Sequence, residues 1–98
     1  MADFRLSERA EQDLIEIYDY TEATFGANQA EVYHAGLERT FGLLARLPRI
    51  GRAAEAIAPG FRRFRSQAHT VFYTMEDGFI LIRAVLHQAR EIQPDLFD

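Results

Sequence analysis

The 98-residue chain contains no cysteine. Disulfide staples and thiolate metal sites are therefore excluded, and the fold has to rest on an apolar core. It contains no lysine either, since all eleven basic residues are arginine. Arginine stays protonated, so proton transfer near neutral pH falls to the three histidines, His34, His69 and His87. These lie too far apart in sequence to form a metal motif, and neither a metal nor another cofactor is expected. No apolar run approaches the roughly 20 residues that cross a bilayer. The opening MADFRLSERAEQDL lacks the apolar centre of a signal peptide. The expectation is a soluble, cytoplasmic protein with no membrane partner, and one domain over residues 1–98 with 91–98 as an acidic tail.

What is present is unevenly distributed. Met1–Ala45 holds nine acids and three arginines, a balance of −6. Arg46–Arg90 holds eight arginines and three acids, a balance of +5, and the last eight residues contribute −3 to reach the net −4. An acidic first half is thus joined to a basic second half, which suggests a surface built to meet an anion.

The hydrophobic pattern divides at the same place. Asp3–Leu6 reads as a short strand with Phe4 and Leu6 on one face. Ser7 offers an N-cap to a helix whose apolar positions are Ala10, Leu14, Ile17, Tyr18, Thr21 and Phe25, with Gly26 as its stop. Asn28 is expected to cap a second helix with the stripe Tyr33, Leu37, Thr40, Phe41, Leu44 and Leu47, ended by Pro48. Residues 49–60 read as a loop. Three strands are expected near Phe61–Arg65, Thr70–Glu76 and Phe79–Leu86, the last two joined at Asp77-Gly78. Strict alternation in the last strand puts Ile80, Ile82, Ala84 and Leu86 against the helices. It puts Arg83 and His87 together on the opposite face. The order β-α-α-β-β-β predicts an α+β domain: an antiparallel sheet with an N-terminal helical hairpin on one face.

Three segments in this order resemble the RelE/ParE toxin superfamily, and its ParE branch in particular. They are FRLSERAEQDLIEIYDY, AEVYHAGLERTFGLLARLPRIGR and RRFRSQAHTVFYTMEDGFILIRAVLHQAR, spanning roughly residues 4 to 90. The resemblance implies the toxin half of a type II toxin–antitoxin pair. It implies a toxin that inhibits DNA gyrase rather than an enzyme, neutralised by a ParD-like ribbon-helix-helix antitoxin. Contact with operator DNA would then run only through that antitoxin. Two alternatives stay open: an mRNA endoribonuclease of the RelE type, and a non-toxic module that acts with the antitoxin in repression.

Candidate residues follow from both sources. Arg63, Arg65 and Arg83 form the expected anion-facing group, since Arg62 shares the other strand face with Phe64. His87 and Arg90 are expected at the active edge beside them. His87 reads first as a structural histidine at a strand end, with a general acid for RNA cleavage as the alternative. No catalytic residue is assigned: the only base in view is Glu55, in a loop, and the ending EIQPDLFD is acidic where ribonuclease relatives are basic and aromatic. Phe4, Tyr18, Tyr33, Phe61 and Phe64 exceed the needs of one small core and are the expected antitoxin-binding set.

Overall fold

A computed structural model describes residues 3–87. The order is β1 (Phe4–Leu6), α1 (Glu8–Phe25), α2 (Ala27–Arg46), β2 (Arg52–Ala53), β3 (Phe61–Ser66), β4 (His69–Met75) and β5 (Ile80–His87). The five strands form one sheet in the order β1-β5-β4-β3-β2. The α+β class and the helical hairpin agree with the sequence reading. Two features differ. The pair β1–β5 is parallel, so the sheet is mixed. The loop after α2 also contains the two-residue strand β2, antiparallel to β3. Two residues are too few to show the alternation by which a strand is read in sequence.

Ser7 caps α1 as expected: the Ala10 N–H donates to its Oγ at 3.1 Å. Gly26 ends α1 with φ +95, and its N–H bonds the Glu22 carbonyl. The same residue starts α2, so the hairpin turns on one left-handed glycine. Asn28 consequently lies inside the first turn of α2, and no side-chain cap is present there.

The two helices pack on one face of the sheet. Ala10 and Leu14 from α1 and Leu37, Phe41, Leu44 and Ala45 from α2 bury against Val71, Tyr73, Ile80, Ile82 and Val85. A second, smaller cluster lies on the face away from the helices: Phe61, Phe72, Ala84 and Leu86, covered by Ala54, Ile57 and Ala58 of the β2–β3 connection. The helical stripes end exposed, at Phe25 and Leu47.

The unbroken apolar face expected for β5 does not form. Val71 pairs with Val85 and Phe72 with Ala84, but Tyr73 pairs with Ile82. Arg83 is the extra residue of a bulge. One inserted residue reverses the alternation beyond it. Ile80, Ile82 and Val85 therefore face the helices, while Ala84 and Leu86 face away.

Tyr73 ties the loop after α2 to the sheet. It is fully buried, its hydroxyl donates to the Pro48 carbonyl at 2.7 Å, and the hydroxyl oxygen itself accepts the Gly51 N–H at 3.0 Å. A Cβ at Gly51 would collide with the Tyr73 ring and hydroxyl, so this approach requires glycine. Arg62 adds a bond from its guanidinium to the Gly51 carbonyl at 2.7 Å. Tyr73→Phe leaves a buried N–H and carbonyl short of a partner. It is expected to lower stability by about 1–3 kcal/mol in denaturant unfolding, with the fold retained.

Candidate functional site

Cross-strand register decides which arginines meet. Arg63 pairs with Phe72 and Arg65 with Thr70, so both share the helix-distal face with Phe61, two residues before Arg63. Both are exposed. Arg52 is the β2 partner of Arg63 and stands on the same face. The Arg83 guanidinium lies 5.1 Å from the centre of the Phe61 ring, over the apolar cluster of that face. On the far edge Arg5 pairs with Leu81 and lies 4.0 Å from the centre of the Phe79 ring. Stacking on aromatic rings holds these two guanidinium groups while leaving their edge donors available.

The expected trio of Arg63, Arg65 and Arg83 is thus assembled, and the sequence reading missed Arg5 and Arg52. Arg52 lay in a segment read as loop, and its register with Arg63 is a product of the tertiary fold. Among the described residues the ion pairs are Arg9–Asp13 and His34–Glu38, neither on this face. None of the five arginines is bonded to a carboxylate there. Arg65 Nε donates to the Gln67 carbonyl at 3.2 Å. The acids of the first half of the chain lie mainly on the two helices, so the charge asymmetry of the sequence becomes a separation across the sheet.

His87 does not join the arginines. It pairs with His69, on the face that carries Val71 and Val85. The bulge at Arg83 reversed the parity on which the expected grouping rested. The His69 and His87 rings meet edge to face at 5.4 Å. Tyr33 Oη stands 2.6 Å from His69 Nδ1, and the Ala68 N–H donates to the same oxygen at 3.2 Å. We assign the phenol proton to Nδ1, which leaves His69 neutral. Burial, with His87 beside it, pushes the His69 pKa down to about 4. Burial also raises the Tyr33 phenol. His69 is thereby tied to Tyr33 and His87 rather than to the arginines. Glu55, the only base in view, accepts the Gly60 N–H at 2.9 Å and closes its own loop. Arg90 lies outside the described residues.

The expected aromatic set divides. Phe61 is only 3% exposed and belongs to the helix-distal core. Phe4 packs on Phe41 with ring centres 5.5 Å apart, and Phe64 lines the main core. These three are mostly used in packing, because a sheet with apolar clusters on both faces needs more aromatics than a single core. Tyr18 lies on the outer surface of the hairpin, where its hydroxyl donates to Glu31 at 2.8 Å and that carboxylate raises its pKa. It borders a shallow groove of about 240 Å³ with Leu14, Ile15, Asp19 and His34. Tyr33 borders a larger cleft of about 430 Å³ with Thr21, Phe25, Gln29, Gln67, Ala68 and His69. The large apolar side chains left most open on the hairpin are Tyr20, Phe25, Val32 and Ile15.

Asp13, which the helical stripe did not include, is 7% exposed. Its Oδ1 accepts from Arg9 Nε at 2.9 Å, and its Oδ2 accepts the buried Val85 N–H at 2.9 Å. The signal was an acid three residues after Ala10 and next to Leu14, on the buried side of α1.

Comparison with known proteins places this geometry in context. Residues 4–92 match the family model described as ParE toxin of type II toxin-antitoxin system, parDE. A protein named Toxin ParE1 from Mycobacterium tuberculosis is 38% identical over 94 residues, covering 95% of this chain and 96% of the relative. Another protein of that name, from Caulobacter vibrioides, is 38% identical over 96 residues, covering 98% and 99%. A solved structure titled as the chromosomal ParDE TA system from P. aeruginosa matches with a TM-score of 0.77 at 18% identity, covering 89% of this chain and 96% of that one. The structural match supports the fold.

The depressed histidine carries a pH dependence. Burial holds the folded His69 pKa down at about 4, below the ordinary histidine value of about 6.5, so the unfolded chain binds more protons between these values. The His69 contribution is complete above pH 6.5 and is lost as pH falls towards 4. Urea midpoints measured from pH 7 to pH 4 are expected to fall, and His69→Gln is expected to flatten that slope.

Proposed function

The chain belongs to the ParE toxin family of type II toxin–antitoxin systems, and from that premise we propose that it halts growth by binding DNA gyrase in the cytoplasm, catalysing no reaction itself. The observation that carries the binding mode is the helix-distal face, where Arg63, Arg65 and Arg83, joined by Arg52 and Arg5, stand without a carboxylate partner among the described residues. Five guanidinium groups in one field attract an anionic surface, whether acidic side chains or the DNA that gyrase holds. The choice of gyrase rests on family resemblance.

Binding is favoured over RNA cleavage by the position of the one candidate acid. His87 is four residues beyond Arg83, roughly 13 Å along the strand, and faces the helix side. Cleavage needs acid, base and cations around one phosphate. Here the cations are on one side of the sheet, the histidine is on the other, and Glu55 is engaged by Gly60.

The neutralising partner in this reading is a ParD-like ribbon-helix-helix antitoxin, through which any contact with operator DNA would run. Ile15, Tyr20, Phe25 and Val32 leave an apolar trace on the hairpin beside the Tyr18 groove and the Tyr33 cleft, which suits an amphipathic partner segment. These features and the arginines occupy different sides of the molecule. An antitoxin that engages both has to wrap around the sheet.

The deciding assay is supercoiling of relaxed plasmid by gyrase with the purified toxin, with and without antitoxin. Inhibition that the antitoxin reverses is the expected result. Arg83→Ala is expected to raise the half-inhibiting concentration at least about tenfold while the protein stays folded. A folded toxin that stops growth but leaves supercoiling untouched would refute the gyrase assignment.

A further inference from the structure

The arginines of the helix-distal face have no carboxylate bonded to them among the described residues, yet the chain carries an anionic segment close by. Residues 88–98 lie outside the described structure, and their sequence is QAREIQPDLFD. From Glu91 on it holds three acids, Glu91, Asp95 and Asp98, and no cation, with Ile92, Leu96 and Phe97 between them. The segment begins where β5 ends. Leu86 pairs with Thr70 and Thr70 with Arg65, so His87 stands two strands and one residue from Arg65, roughly 10 Å away.

Reach is sufficient. Arg5 on β1 is three strands and about five residues from Arg65, roughly 22 Å by strand geometry. Eleven extended residues span at most about 36–40 Å, so the acids can be set down across the whole field. Charge decides the direction. The acids of the first half of the chain lie mainly on the hairpin side. The Tyr33 cleft is equally close through His69, but its described lining holds no arginine. The arginine face offers cations and apolar contacts together, since the partly buried Phe79, Leu81, Ile57 and Ala58 can receive Ile92, Leu96 or Phe97. We propose that segment 91–98 is an intramolecular occupant of the arginine face, where it competes with the anionic target. The contact stands on charge and reach, whereas the competition rests on the arginine reading above. A face that its own chain covers most of the time binds a target more weakly, in proportion to the fraction left open.

The test uses the whole chain. Because it contains no cysteine, Gln93→Cys accepts a single nitroxide label. The amide NMR signals of Arg63, Arg65 and Arg83 are expected to broaden, and to recover as sodium chloride is raised from about 0.05 M to 0.5 M. Broadening at Tyr33 and Gln29 instead, or none at all, would overturn the proposal. Broadening that passes from labelled to unlabelled copies in a mixture would assign the contact to a second copy and overturn it too. The triple variant Glu91→Gln, Asp95→Asn, Asp98→Asn is expected to lose the broadening at the arginines. In the supercoiling assay it is expected to lower the half-inhibiting concentration about three- to tenfold. Broadening that survives in the triple variant would overturn the charge basis of the contact. Parent-like inhibition by the triple variant, where Arg83→Ala does weaken inhibition, would overturn the competition and leave the arginine reading standing. Full inhibition by Arg83→Ala would overturn the arginine reading and the competition with it, and the label would still show whether the contact forms.

Discussion

The backbone of β5 beyond Leu6 needs hydrogen-bond partners that β1 is too short to give, and the first two turns of α1 provide them. Ser7 caps its own helix and bonds the Arg83 carbonyl, while Asp13 reaches the Val85 amide from one turn further on. Buried backbone groups have to be paired, so the helix start, the strand edge and the bulge depend on one another. Shifting α1 along its axis would unpair both bonds to β5 at once. The helical hairpin is thereby locked to the sheet by directed polar contacts as well as by the apolar packing of Leu14, Leu37 and Phe41.

The bulge gives the sheet two different faces. Towards the helices it presents Val71, Tyr73, Ile82 and Val85, and away from them it presents Phe61, Phe72, Ala84 and Leu86. Arginine suits the second face. Its planar cation can lie over Phe61 or Phe79, as Arg83 and Arg5 do, and still offer donors outward. A chain without lysine therefore places fixed positive charge over a small apolar patch, in an arrangement that pH near neutrality does not alter.

Membership of the ParE toxin family fits a molecule whose surface chemistry is divided in this way. The acidic hairpin with its exposed Ile15, Tyr20 and Val32 faces one way and the arginines face the other. A toxin of this family has to meet an antitoxin, and in the reading proposed above it meets a target as well. Two chemically distinct sides allow two kinds of contact.

Much of the fold was legible in the sequence because it rests on local signals. The helix stripe from Ala10 to Thr21, the Ser7 cap, the Gly26 stop and the Asp77-Gly78 turn each act within a few residues. The charge division and the trio Arg63, Arg65 and Arg83 were legible for the same reason. The parallel β1–β5 pair, the β2 strand that brings Arg52 beside Arg63, and the contact between His69 and His87 were not, because each joins residues distant along the chain. The sequence by itself determined which segments became helix or strand and where the charge lay, through periodicity and turn chemistry. Only the tertiary structure decided on which face Ala84, Val85 and His87 stand, because one bulged residue, held by a carboxylate on another element, reversed the alternation.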